Sequence, residues 1–150
     1  MAFFLGLVSI AALLYGIGWI AQNDYLLTIP NDMLWATTTM FVLIGLMHLR
    51  NPDQLTYMIA NFMPNARLLV LLSGVAEVVV GIGLVFSETR IWAAGGLILL
   101  LIAMFPANIN VAVNKLPPPG GLPAKPWYVW SRLLFQPAYI IWIWYAVFGQ

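Results

Sequence analysis

The feature that most constrains this chain is a set of five long apolar runs: Phe3 to Gln22, Met33 to Leu49, Leu68 to Phe86, Ile91 to Val113 and Leu133 to Phe148. Roughly 17–25 apolar residues are what a helix needs to cross the hydrocarbon core of a bilayer. In lipid the backbone must satisfy its own hydrogen bonds, so unbroken apolar runs predict helices, and the alternation expected of a barrel strand is missing. The composition agrees, with 63% hydrophobic and 7% charged residues and a mean hydropathy of +0.92. A soluble domain of 150 residues exposes more polar surface than six Lys/Arg and five Asp/Glu can cover. The expected fold is an all-α integral membrane bundle.

The same residue counts exclude several chemistries. With no cysteine, the chain cannot run thiol–disulfide exchange or hold a cysteine-ligated iron–sulfur cluster. A single histidine, His48, cannot by itself build a bis-histidine haem or a three-histidine metal site, so no metal is expected. The seven methionines are scattered rather than clustered, and no phosphate-binding glycine loop, nucleophile elbow or carboxylate pair is present. Catalytic residues are therefore not named from motifs. A formal charge of +1 points to no nucleic acid.

Orientation follows from the basic residues. The loop from Asn23 to Asp32 has none, the next holds Arg50 and Arg67, the next only Arg90, and the fourth brings Lys115, Lys125 and Arg132. The positive-inside rule then places the N-terminus in the cytoplasm and the C-terminus outside. The first run lacks a basic n-region and a small-x-small cleavage site and is long for a signal sequence, so it reads as a retained helix. Trp127, Tyr128 and Trp130 before the last run, and Trp142, Trp144, Tyr145 and Phe148 at its far end, suit the two headgroup regions. The segment Pro117 to Pro123 cannot be helical and reads first as a stiff connector, and second as a docking site for a partner.

Polar residues within the runs are the candidates for function. A charge at mid-bilayer costs roughly 3 kcal/mol, which makes Glu77 the exceptional residue. Gly74, Glu77 and Gly81 are spaced i, i+3, i+7, with Ser73 one turn before Glu77, so the carboxyl should lie on the small-residue stripe and point inward. Gly95 and Gly96 are also expected at close helix contacts. Under the predicted topology His48, Asn108, Asn110, Arg132 and Gln136 all fall in the cytoplasmic half, with Glu77 about 15 Å in from Arg67. Arg132, Gln136 and Tyr139 share one face of the last helix, which is expected to meet Glu77. Pro106 and Pro137 should free the carbonyls of Ile102 and Leu133, for which the nearby Asn, Gln and Arg side chains are donors. Two readings stand together: these donors repair kinked backbone, or they line a cavity reaching Glu77 that takes a quinone ring, a lipid or another small amphiphile, where Glu77 with His48 would relay a proton to the cytoplasmic side.

Four stretches in order carry a resemblance: Gly45-Leu46-Met47-His48, Leu72-Ser73-Gly74-Val75-Ala76-Glu77 with Gly81 and Gly83, Phe105-Pro106-Ala107-Asn108-Ile109, and Arg132-Leu133-Leu134-Phe135-Gln136. From about Thr39 onward the chain resembles the DoxX-like family of small bacterial membrane proteins. The resemblance implies a four-helix bundle over residues 33–150 in the bacterial inner membrane, preceded by an extra transmembrane helix and external loop over residues 1–32. It also implies an association with membrane redox chemistry, since the founding relatives are subunits of a thiosulfate:quinone oxidoreductase and a distant eukaryotic branch chaperones receptor assembly. It carries a polar or substrate-facing role onto His48, Glu77, Asn108, Arg132 and Gln136. The chain departs from the family pattern in its extra helix, in Leu49 where an aromatic is familiar, in lacking a proline within the Arg132 to Gln136 motif, and in its lack of cysteine.

Together these observations lead to an accessory subunit of a quinone-linked membrane redox complex, not catalytic by itself, with a partner subunit or a second copy of the chain and membrane lipid as its neighbours. The alternative is a structural or assembly protein whose polar cluster only fixes helix packing. A small transporter is a third class, disfavoured by five runs without an inverted repeat.

Overall fold

The computed structural model describes residues 2–119, 121–122 and 125–149, and these form six helices with no strand among the described residues. In chain order they are α1 (Ala2–Ala21), α2 (Ile29–Arg50), the single turn α3 (Asp53–Thr56), α4 (Ala66–Gly83), α5 (Arg90–Val113) and α6 (Pro126–Phe148). The chain is an all-α membrane protein: α1, α2, α4 and α5 are each long and apolar enough to cross a bilayer. The fifth run forms a helix of 23 residues, but its Trp, Tyr, Arg, Gln and Pro residues make it less apolar than the other four.

Local chemistry explains where the helices start and stop. Pro30 sits in the first turn of α2 and Pro126 in that of α6, where a missing N–H costs nothing and the fixed φ favours a helical start. Both helices therefore begin earlier than their apolar runs. α2 ends where the Asn51 N–H returns to the Met47 carbonyl, just before Pro52. Asn65, in the left-handed region at φ 56°, turns the chain into α4. Between α4 and α5 the Thr89 hydroxyl donates to the Gly83 carbonyl at 2.7 Å and closes a short turn. Of the proline-rich connector, Gly120, Pro123 and Ala124 lie outside the described residues, and Pro117 to Pro119 are not helical.

α2 is the central element. It packs against α1, α4 and α6, while α5 closes the bundle against α4 and α6. Leu34, Phe41, Leu84, Ala94, Leu97 and Ile143 fill the shared core. α1 buries only Leu7 and Gly18 and lies along the outside of α2. At its N-terminal end Phe3 packs edge-on against Phe41 and Tyr139, and Phe4 edge-on against Trp142, so α1 covers the seam between α2 and α6.

The closest helix contact is between α2 and α4. A Cβ added to Gly45 would stand 2.7 Å from the Gly74 carbonyl oxygen, and one on Gly74 would stand 2.9 Å from that of Gly45 and 2.8 Å from the His48 Cβ. Gly81 is looser, with Val42 at 3.2 Å, and Gly96 meets Val80 at 3.0 Å. Gly95, expected at a close contact, instead has nothing within 4 Å and lies on the exposed side of α5. Its neighbour Gly96 faces the bundle because adjacent residues on a helix point about 100° apart. Gly45→Val should therefore lower thermal stability in detergent by about 1–3 kcal/mol. Gly95→Ala should be neutral or stabilising by up to about 1 kcal/mol. Equal melting shifts for the two variants would contradict this packing.

Candidate functional site

The Gly45–Gly74 crossing determines the surroundings of the exceptional carboxylate. Glu77 is three residues beyond Gly74 on the face of α4 turned to α2, and it is only 2% exposed. His48, three residues beyond Gly45 on α2, is 8% exposed and directs its ring into the same crossing. Its Nδ1 lies 2.8 Å from Glu77 Oε2. The separation is that of an ion pair, but the two atoms are not aligned as a directed hydrogen bond, and neither has another polar partner among the described residues. A buried acid and a buried base thus face each other with hydrogen-bonding capacity left over.

The other expected site residues form a separate group between α5 and α6. Arg132 Nη2 donates to Asn108 Oδ1 at 3.0 Å, and Asn108 Nδ2 donates to Gln136 Oε1 at 3.1 Å. Gln136 Nε2 in turn donates to the Leu101 carbonyl. The face carrying Arg132 and Gln136 does not form an ion pair with Glu77. It meets α5, and the ionisable groups around Arg132 are Tyr57, Tyr128 and Tyr139. Arg132 Nη1 is sealed from solvent without an acceptor. Tyr139 turns to α1, with its ring centroid 4.9 Å from that of Phe3.

Gln136 reaches α5 one residue before the carbonyl that Pro106 frees: its Nε2 donates to the Leu101 carbonyl, and among the described residues no side-chain donor is bonded to the Ile102 carbonyl. Leu101 is buried, whereas Ile102 is 55% exposed. None of the donors proposed for the Leu133 carbonyl is bonded to it; they are engaged elsewhere. Asn110 donates to the Met58 carbonyl at 2.7 Å and ties the end of α5 to the loop after α3. In that loop Tyr57 donates to the Pro117 carbonyl; burial raises its phenol above the usual value, and the nearby Arg132 charge opposes the rise.

Two surface grooves of about 370 and 300 Å³ flank the bundle, and neither is lined by Glu77, His48 or Arg132. No group of His, Asp and Glu that could hold a metal occurs among the described residues.

One further buried acid was not singled out from the sequence. Asp32, in the first turn of α2, is 1% exposed, and both its carboxylate oxygens are without a hydrogen-bond partner, as is the buried Thr38 hydroxyl. It lies at the opposite end of α2 from His48. Its only sequence signal is adjacency to an apolar run, and with the helix assumed to start at Met33 it read as a loop residue. Nearby, Trp142 Nε1 donates to Thr37 Oγ1 at 3.0 Å, which cross-links α6 to α2.

Apart from Arg132 Nη1, the α5–α6 network pairs its polar side chains with one another and with the Leu101 carbonyl, so its chemistry is that of a helix clamp. Gln136→Leu leaves the Leu101 carbonyl and the Asn108 amide without their partner and should destabilise the protein by about 1–3 kcal/mol. Thermal unfolding in detergent measures this, and an unchanged midpoint would show that the chain of bonds is not holding α5 to α6.

The chain belongs to the family described as a domain of unknown function, DUF8561, whose family model matches residues 37–147. The matched stretch contains every residue of both polar groups and leaves out α1. No curated protein and no solved structure matches the chain.

Proposed function

We propose that this DUF8561 member is an accessory membrane subunit of a quinone-linked redox complex, and that the His48–Glu77 pair is its working part. The observation that carries the reading is the 2.8 Å approach of a buried imidazole to a buried carboxylate, with no third polar group among the described residues bonded to His48 Nδ1 or Glu77 Oε2. A pair built only to pin two helices is best served by saturated hydrogen bonds, as the Arg132–Asn108–Gln136 chain is nearly throughout. An acid and a base with spare capacity can take up or release a proton without breaking the bundle.

In this reading α6 is the fifth crossing, the N-terminus and the loops around α3 and before α6 are cytoplasmic, and the membrane is the bacterial inner membrane. His48, in the last turn of α2, lies on the cytoplasmic side of the pair and exchanges protons with that compartment. Glu77, which lines neither groove, passes them toward a quinone whose site a partner subunit completes. Electrons come from a cofactor on that partner. The resemblance to the DoxX-like family supports the same association. The nearly saturated α5–α6 network supports a second role for the rest of the molecule, that of a rigid scaffold, and α1 is the surface on which a partner docks.

The test is purification from native membranes in mild detergent, with proteins and extracted quinones identified by mass spectrometry. A stoichiometric flavin-, haem- or metal-bearing partner is expected. Glu77→Gln should keep that assembly while lowering quinone-linked turnover by roughly 100-fold, the lower end of what a general acid or base contributes. A protein that emerges alone, or a Glu77→Gln complex with full turnover, would overturn the reading.

A further inference from the structure

The end of α5 carries a groove unconnected with the His48–Glu77 pair. About 300 Å³ in volume, it is walled by Phe62, Pro106, Ile109 and Val113, with Asn110 and Asn114 as its polar end. Pro106 lies inside α5 and offers no N–H to the preceding turn, and Asn110 holds the loop bearing Phe62 alongside through the Met58 carbonyl. The walls occupy the last two turns of a membrane-spanning helix, and the polar end coincides with the end of its apolar run. An amphiphile with one apolar chain and one polar head matches that layout.

The charges at this end of the bundle select the head. Arg50, Arg67, Lys115, Lys125 and Arg132 gather there, against Asp53 and Glu77. Arg67 pairs with Asp53 at 3.2 Å, and Glu77 faces His48. Among the described residues no carboxylate lies within ion-pair distance of Arg50, Lys115, Lys125 or Arg132. Lys115 directly follows Asn114 and adopts φ 53°, where the Leu116 N–H returns to the Val111 carbonyl and ends α5. Glycine takes that position at less cost, whereas this chain sets an exposed cation in the residue next to Asn114, the groove's polar end.

We infer that this groove binds an anionic phospholipid, its acyl chain lying along Pro106, Ile109 and Val113 and its phosphate at Asn114 and Lys115. Because neither His48 nor Glu77 takes part, the site stands whether or not the redox reading does.

The experiment places the full chain in nanodiscs of phosphatidylcholine and phosphatidylglycerol, extracts it into detergent and counts retained lipids by native mass spectrometry. Phosphatidylglycerol should be kept in preference to phosphatidylcholine. Lys115→Gln should reduce that preference about five-fold, the effect of one basic residue at an anionic surface. Ile109→Trp, which fills the groove from a partly lipid-facing position, should abolish retention of the bound lipid. Leu99→Trp, on the same helix at a site 67% exposed to lipid, should leave it unchanged. Circular dichroism of each variant reports that the helices are intact. Equal retention of the two lipids, or loss of lipid by Leu99→Trp as readily as by Ile109→Trp, would overturn the site.

Discussion

The crossing of α2 and α4 at Gly45 and Gly74 is the contact on which the rest of the structure depends. Each glycine leaves room for the other's carbonyl oxygen, at a distance no larger residue permits. Lipid tails are as apolar as leucine, so helices in a bilayer associate through close packing and polar contacts rather than through the exclusion of water. The crossing supplies the first of these and creates the second, since bringing the two backbones together places His48 and Glu77 side by side and out of reach of lipid. α6 and α5 then complete the bundle around α2, and α1 covers the remaining seam.

Polar groups inside this bundle follow two different rules. Between α5 and α6, Arg132, Asn108 and Gln136 form a run of donors and acceptors that ends on a backbone carbonyl beside a proline kink. Such a run joins two helices by pairing polar side chains with one another, and it leaves the Ile102 carbonyl freed by Pro106 without a side-chain donor among the described residues. Between α2 and α4 the facing atoms of the acid and base have no other polar partner among the described residues. The second arrangement is the one whose protonation can change without loss of helix packing, and that is why function is assigned there.

Much of this was legible in the sequence because the bilayer imposes simple rules. Run length located five helices, four of them long and apolar enough to cross a bilayer, and the i, i+3, i+7 spacing of Gly74, Glu77 and Gly81 turned the carboxyl inward. Neighbours were less legible, since helical periodicity says which face a residue occupies but not which helix that face meets. Arg132 and Gln136 share a face as expected, yet it meets α5 rather than Glu77. The residue facing Glu77 is His48, which the sequence joined to it as a proton relay in the same half of the membrane but not as its packing neighbour. Gln136 reaches Leu101 instead of Ile102, and of the two residues Leu101 is the buried one. Asp32 escaped notice because Pro30 starts α2 four residues before the apolar run and so carries a loop-like acid into the helix.

The central claim is that the His48–Glu77 pair changes protonation as the protein works. Redox-difference infrared spectroscopy on native membranes observes this directly, because a protonated carboxyl has a carbonyl stretch distinct from that of a carboxylate. The account predicts a carboxyl band that changes when the quinone pool is reduced and is absent from Glu77→Gln membranes. A difference spectrum with no such band, or one in which the band survives the substitution, would show that the pair is fixed and that its role is to hold α2 against α4.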